Sequence, residues 1–185
     1  MGEYWSEDLA ELRGYLGDEP VMSLFDVPLH FHLHAAATSD GNVDLSRLFE
    51  GTLVDADPAH AVTFVENHDT QPRQALASTI LPWFKPSAYA LILLREAGIP
   101  CVFWGDLFGT PETGDLPAVT ELPLLMAARR LLAHGPQHDT AAPLSKLKIF
   151  GRPYLETADF MTVIRLTKVS LKKTLAPSKI GRAHV

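Results

Sequence analysis

Three places in the sequence hold residue types able to move protons or bind cations. Residues 66–69 read Glu-Asn-His-Asp, two carboxylates and an imidazole within four positions, which are the types used as general acid, general base or charge stabiliser. Glu3 stands near the start, followed by Tyr4 and Trp5. His30, His32 and His34 recur at spacing two, so on an extended segment the imidazoles would share a face and could ligate zinc. On a loop or at the start of a helix the same three would be satisfied by backbone partners, and no carboxylate follows them at a familiar ligand spacing. The single cysteine, Cys101, excludes an intrachain disulfide. In a buried strand it fits a packed thiol better than a nucleophile.

These residues need elements to hold them. Ala61-Val62-Thr63-Phe64-Val65 is apolar without alternation, the pattern of a strand covered on both faces in a parallel sheet. The 66–69 cluster therefore falls at that strand's carboxyl end, the end that carries the active site in βα barrels. Residues 21–25 form a second strand closed by Asp26 and Pro28, and residues 101–104 a third, followed by Gly105-Asp106. A helix opens after Ser6 as N-cap, carries Leu9, Leu12 and Leu16 on one stripe, and stops at Gly17. Gly41-Asn42 reads as a turn, 45–49 as a short helix and Asp57-Pro58 as the start of a helical turn. Helices follow at 85–97, opened by Pro86 and stopped by Gly98, and at 117–134, stopped by Gly135-Pro136. Strands alternating with helices of this length mean parallel βαβ units.

Residues 61–72, Ala-Val-Thr-Phe-Val-Glu-Asn-His-Asp-Thr-Gln-Pro, closely resemble the fourth signature region of the α-amylase family of glycoside hydrolases, with Glu66 where Asp is usual. The likeness continues through Trp83-Phe84-Lys85-Pro86, the stretch 89–95 and the stretch 98–106, which look like the liquefying bacterial and related fungal branch; Trp104 stands where Tyr is usual. Gly2-Glu3-Tyr4-Trp5 and the stretch 24–30 match as well, so the resemblance covers about residues 2–139. It implies retaining endo-hydrolysis of α-1,4-glucosidic bonds in glucans of the starch and glycogen type. Glu3 would be the acid/base, Asp69 the third carboxylate that holds the distorted sugar, His68 a hydrogen-bond partner of a sugar hydroxyl, and Trp5 an apolar face for a sugar ring. The family's nucleophile is an Asp within a Gly-x-Arg-x-Asp string, and that string is absent. The resemblance implies calcium for a full-length parent; His138-Asp139 matches a pair that helps bind it in some relatives, and no metal is assigned to this chain. Asn67 is expected to fix its loop, Glu66 to affect packing more than catalysis, and Trp83 and Trp104 to pack in the core.

A complete (β/α)8 barrel needs roughly 250 residues, and this chain has 185. The expected fold is therefore α/β, a partial TIM barrel running from the end of strand five through helix eight, in residues 1–139. Residues 140–185 form a divergent basic tail, a remnant of a C-terminal β domain with 161–166 as one strand, or disordered. A protein cut at both ends, or a misread gene, would look like this. The net charge of −6 divides unevenly: residues 1–140 hold seven Lys/Arg against twenty Asp/Glu, and residues 141–185 nine against two. The acidic part argues against nucleic acid and suits a neutral polyol. Without a run of about 18 apolar residues or a signal sequence, no membrane partner is expected and the address is cytoplasmic. Exposed barrel edges imply self-association. Two other readings stand beside the hydrolase: an inactive saccharide-binding piece, and a metal hydrolase built on His30, His32 and His34.

Overall fold

The computed structural model describes residues 1–39, 42–110 and 116–133; the expected tail at 140–185, the strand at 161–166 and the pair His138-Asp139 lie outside them. Three strands, β1 (Leu24–Phe25), β2 (Ala61–Phe64) and β3 (Ile99–Cys101), form one parallel sheet in the order β1-β2-β3. Leu24 lies level with Ala61, and Phe64 with Cys101. Gly2 adds a parallel bridge to Leu24, so the first residues take a fourth position beside β1. Helices connect the strands: α1 (Leu9–Leu16), α2 (Val27–Thr38), α3 (Leu53–Ala56), α4 (Lys85–Leu94), α5 (Trp104–Phe108) and α6 (Leu122–Leu132). The expected α/β class with parallel βαβ units is what the chain forms. The sheet stays open, and closure into a barrel is not seen among the described residues.

The two faces of the sheet are covered differently. Leu24, Ala61 and Val65 meet the apolar sides of the helices, including Leu12, Leu33, Leu53 and Leu122, in the main core. Phe25, Val62 and Phe64 point the other way and are covered by aromatic side chains, Trp5 and Phe31, with Val27 and Cys101. Each strand alternates between the two clusters, so both faces of β2 are buried, as its unbroken apolar pattern requires.

Asp26 ties β1 to two helices. Its N–H donates to the Val62 carbonyl at 2.9 Å. Its carboxylate is fully buried and accepts from the Leu29 and Leu53 N–H groups, each at 3.1 Å, and from the Val54 N–H at 2.7 Å. One side chain thus caps α2 and α3 together, satisfying donors that helix starts leave without partners. Gly98, just before β3, has φ +86, and a Cβ there would come within 2.8 Å of Val54 Cγ2 and 2.9 Å of Thr63 Cγ2. Both the backbone conformation and the close approach require glycine.

Several expected boundaries shift for identifiable reasons. The N-cap of α1 is Asp8, which accepts from the Ala10 N–H at 2.7 Å. Ser6 instead accepts from the Asp8 N–H and donates to Glu11. A carboxylate at the helix start gains from the dipole as well as the hydrogen bond. A short helix, α3, ends at Asp57, and the expected turn into β2 starts there, with the His60 N–H bonded to the Asp57 carbonyl at 3.2 Å. The strand expected at 101–104 ends at Cys101, because the Asp106 and Leu107 N–H groups bond to the Phe103 carbonyl and turn the chain into α5. The expectation that Trp83 and Trp104 pack in the core fails: they are 46% and 71% exposed. The last helix begins at Leu122, with Pro123 in its first turn; residues 116–119 run outside it, and the Val119 N–H bonds to the Asp106 carbonyl.

Replacing Asp26 by Ala would strand three buried N–H donors. Charge-assisted bonds of this kind contribute about 1.5–3 kcal/mol each, and buried orphans cost about 1–3. Asp26→Ala is expected to lose on the order of 4 kcal/mol of unfolding free energy in urea titrations. A loss below about 1 kcal/mol would show that the carboxylate is dispensable.

Candidate functional site

Every strand of the sheet is followed by a carboxylate: Glu3 after Gly2, Asp26 after β1, Glu66 and Asp69 after β2, and Asp106 after β3. The structure sorts them into those used internally and those presented to solvent.

Glu66, Asp106 and Asp26 are internal. Glu66 and Asp106 flank the ammonium of Lys85 on α4, whose Nζ lies 3.1 Å from Glu66 Oε2 and in hydrogen-bond contact with Asp106 Oδ1. All three are buried, Lys85 at 2% exposure. The Tyr89 hydroxyl donates to Asp106 Oδ2 at 2.7 Å and accepts from the Phe103 N–H at 3.4 Å. Thr70 donates to Glu66 Oε1, and the Ile80 N–H to Oε2 at 3.3 Å. Burial pushes the Glu66 carboxyl above its usual range, against the opposing pull of Lys85 and the Thr70 hydroxyl. Burial, with the Asp106 charge and hydrogen bond added, pushes the Tyr89 hydroxyl up as well, so it stays a donor. The sequence suggested a packing role for Glu66 and missed its partner, because Lys85 reads alone as a helix start. A lysine buried at the first turn of an apolar helix, with carboxylates at two strand ends, was the available signal.

The loop after β2 is built on this network. Asn67 Oδ1 accepts from the Asp69 and Thr70 N–H groups, both at 2.9 Å, while the Asn67 N–H donates to Thr70 Oγ1 at 2.9 Å. Asn67 fixes the loop, as expected. The turn leaves His68 and Asp69 outermost, their side chains 65% and 45% exposed, with His68 Nε2 3.4 Å from Asp69 Oδ1. The Gln71 side chain donates to the His68 carbonyl at 2.9 Å, closing the turn.

Glu3 and Trp5 come from the segment beside β1. Tyr4 packs with the helix-side core and Trp5 with the aromatic cluster on the opposite face. That alternation puts Glu3, which is exposed, on Trp5's side of the sheet. The bridge at Gly2 sets Glu3 level with Phe25 and Val62, two residues short of the end of β2. β1 alone separates Glu3's segment from the strand that leads to Asp69, and the segments run parallel. Trp5 is half-buried, its ring 6.0 Å from that of His30 and 6.1 Å from that of Phe64.

The histidine triplet does not share a face. All three residues lie on α2, where spacing two turns successive side chains about 200° apart. Each has a backbone partner: His30 Nδ1 lies 3.0 Å from the Val65 carbonyl, His32 Nδ1 2.8 Å from that of Leu48, and His34 Nδ1 3.0 Å from that of Thr79. The zinc alternative required an extended segment, and the helix removes its premise. No group of three or more metal-ligating side chains occurs among the described residues. His30 is fully buried, stacked on Phe64 at 4.9 Å and 8°. Burial lowers its pKa to about 4, so the ring is neutral; Nδ1–H donates to Val65 and Nε2 accepts from the Ser78 hydroxyl at 2.7 Å. Cys101 is half-buried and its thiol is pushed up by burial, in keeping with a packed, unreactive sulfur.

The described residues thus form a parallel α/β unit whose strand ends carry carboxylates and the hydrogen-bonded loop of His68 and Asp69. No protein-family model matches the chain. It is 48% identical over 143 residues to the alpha-amylase of Bacillus licheniformis, covering 75% of this chain and 28% of that protein. It is 47% identical over 141 residues to the glucan 1,4-alpha-maltohexaosidase of Bacillus sp. (strain 707), covering 75% and 27%. To the cytoplasmic alpha-amylase of Escherichia coli (strain K12) it is 47% identical over 148 residues, covering 74% and 30%. The chain belongs to the α-amylase family. It spans less than a third of the length of these curated relatives.

Two outcomes test the internal chemistry. Lys85→Met leaves two buried carboxylates without their cation, and breaking a buried pair in this way costs on the order of 3–5 kcal/mol. Glu66→Gln keeps acceptor and size and is expected to cost less than half of that. Equal losses in urea titrations would mean that packing, not charge, dominates. His30, whose folded pKa is depressed from 6.5 to about 4, contributes stability that is present above pH 6.5 and is lost as pH falls towards about 4. The difference in unfolding free energy between the native chain and His30→Gln should shrink by about 3 kcal/mol over that window. A difference independent of pH would show that the ring is not buried neutral.

Proposed function

We propose that this chain is part of the catalytic domain of a retaining glycosidase acting on α-1,4-glucans: the second half of a (β/α)8 barrel, from the end of strand five through helix eight. The observation that carries the reading is positional. Glu3 and the pair His68-Asp69 lie on parallel segments of one sheet with a single strand between them, in a stretch about 48% identical to an alpha-amylase. The names of its relatives, alpha-amylase and glucan 1,4-alpha-maltohexaosidase, support an α-glucan as the partner. The Escherichia coli relative's name also fits a cytoplasmic address. Among the described residues no helix is long and apolar enough to cross a membrane.

In this role Glu3 donates its proton to the leaving glycosidic oxygen as the C–O bond breaks, then takes a proton from the water that releases the sugar. Asp69 stabilises positive charge developing on the distorted ring, and His68, 3.4 Å away, holds a sugar hydroxyl beside it. Trp5 covers an apolar ring face. The covalent step needs a carboxylate nucleophile about 5–5.5 Å from the acid/base. The Gly-x-Arg-x-Asp string that supplies it in the family does not occur in the 185 residues. The chain by itself is therefore a saccharide-binding piece, and hydrolysis requires the nucleophile from elsewhere. The metal-hydrolase reading loses its support with the helix that separates His30, His32 and His34.

The purified chain is expected to release reducing ends from amylose at background rate. A chimera in which residues 2–139 replace the matching segment of the Bacillus licheniformis protein should hydrolyse amylose, and Glu3→Gln in it should lower kcat by roughly 10²–10⁴-fold. A folded but inactive chimera, or one indifferent to Glu3→Gln, would overturn the reading. Release by the chain alone that depends on Glu3 would mean that another residue serves as nucleophile.

A further inference from the structure

Helix α6 carries two apolar stripes and uses one. Leu122, Leu125 and Ala128 are buried where α6 packs on α4, and Arg129 Nη1 fixes the contact by donating to the Leu93 and Arg95 carbonyls at 2.7 and 3.1 Å. Leu124, Ala127 and Leu131, at spacings three and four, make a second stripe that faces solvent, with Leu124 and Leu131 51% and 57% exposed. The charged side chains of the helix are Arg129 and Arg130 alone. A helix apolar on nearly every side belongs between two neighbours, and the second neighbour is absent among the described residues.

The place of α6 makes the two ends of the sheet unlike. At one end α6 lies beyond α4 and the turn after β3, where Ile99 is 47% exposed and no further strand pairs with β3 among the described residues. At the other end the Gly2 segment is outermost, and Tyr15 of α1, stacked on Tyr4 at 4.6 Å, is 55% exposed at its flank. Charge differs in the same way. Both helices run back towards the strand starts, where α6 presents Arg130 and the turn after α1 presents Asp18 and Glu19, all exposed. Like ends brought together would oppose arginine to arginine, or acid to acid; unlike ends bring opposite charges together.

We propose that the partner of this surface is a second copy of the chain, bound head to tail at both ends of the sheet. A two-fold rotation sets the α6 stripe of each copy on Tyr15 and the Gly2 edge of the other, with Arg130 facing Asp18 and Glu19. Contacts between unlike ends grow into open chains unless the rotation closes them. Here the Gly2 segment, β1, β2 and β3 give four parallel positions per copy, and two copies give the eight of a barrel whose interior side chains just fill it. The face of Trp5, Phe25 and Phe64 then lies inside, and association stops at two. β3 is short and Pro100 lacks an N–H, so the helix contact, more than strand pairing, holds the copies together. Closure at two copies rests on the half-barrel reading above.

Analytical ultracentrifugation of the full 185-residue chain at micromolar concentration tests this. The native chain should sediment with twice its mass of 20.3 kDa. Leu124→Glu and Leu131→Glu should each weaken dimerisation by about tenfold or more, since either would bury an unpaired charge. Arg130→Glu, and the double change Asp18→Lys with Glu19→Lys, should each weaken it as well, and an equimolar mixture of these two variants should recover the native dimer, because each supplies the charge that the other lacks. All of these positions are exposed, so the variants should keep the native circular dichroism. A monomeric native chain, or a dimer indifferent to Leu131→Glu, would overturn the proposal. Failure of the mixture to recover would overturn the head-to-tail arrangement, and oligomers that grow beyond two with concentration would overturn closure. The glycosidase reading is tested separately by the chimera, in which residues 2–139 are joined to the remainder of another protein: an active chimera beside a monomeric chain overturns the dimer alone.

Discussion

A lysine ammonium held between two carboxylates, out of water, is the constraint from which the carboxyl edge of this sheet follows. Lys85 enters from α4, Glu66 from the end of β2 and Asp106 from the turn after β3. Stripping three charges of water is expensive, and pairing repays this only with good geometry and every remaining polar atom bonded. Here Thr70, Tyr89 and the Ile80 N–H complete the shell. Such a cluster contributes less to net stability than its short contacts suggest. What it contributes is position: any other register of β2 against β3, or any roll of α4, leaves a bare charge in the core. With two carboxylates to one ammonium, a fully ionised cluster would carry excess negative charge, and the raised pKa of Glu66 reflects burial that Lys85 only partly offsets.

This division between internal and presented carboxylates explains how one edge can be held together by some acids while presenting others to solvent. Glu66 bonds Thr70, Thr70 bonds Asn67, and Asn67 holds the Asp69 N–H. The ordering therefore passes from the buried pair to the exposed acid in three hydrogen bonds, leaving the Asp69 oxygens facing solvent. A solvated Asp at the tip of an unsupported turn would sample many orientations, and the Asn67 bonds to the Asp69 and Thr70 N–H groups hold this turn in one. Asp26 does the equivalent for β1 with backbone donors in place of a lysine.

Much of this edge was legible in the sequence, and the parts that were not share a cause. The unbroken apolar run of β2 and its polar end gave the strand and the loop directly. Gly17 and Gly98 marked stops, and both adopt positive φ. The family resemblance named Glu3, Trp5, His68 and Asp69, and the structure puts them on neighbouring parallel segments. Misjudged features depended on partners distant in sequence. His30, His32 and His34 are not among them: a helix entry with backbone partners is the reading that the structure bears out, and Asp26 with Pro28 two positions on is the local signal of that helix start. Glu66 and Lys85 are nineteen positions apart and their pairing has no local pattern. Trp104 was assigned to the core on residue type, yet its neighbour Asp106 claimed the interior first, because a buried hydrogen-bonded charge cannot be moved out by a ring seeking cover.

The two faces of the sheet carry the last step. On one side helices supply a thick apolar layer; on the other, Phe25, Val62 and Phe64 are covered by a thinner, largely aromatic set of Trp5, Phe31 and His30 with Val27 and Cys101. At the far side β3 leaves Ile99 47% exposed. A parallel sheet is stable when both faces and both edges are covered, and β3 offers an edge of backbone donors and acceptors beside apolar side chains. Closing such a sheet on itself would put the Trp5 face inside and give β3 a neighbour, which is the arrangement a barrel provides. Glu3 and Asp69 both lie on one arc of this open sheet, and the proposed glycosidase role would need carboxylates converging on a sugar ring from more than one direction.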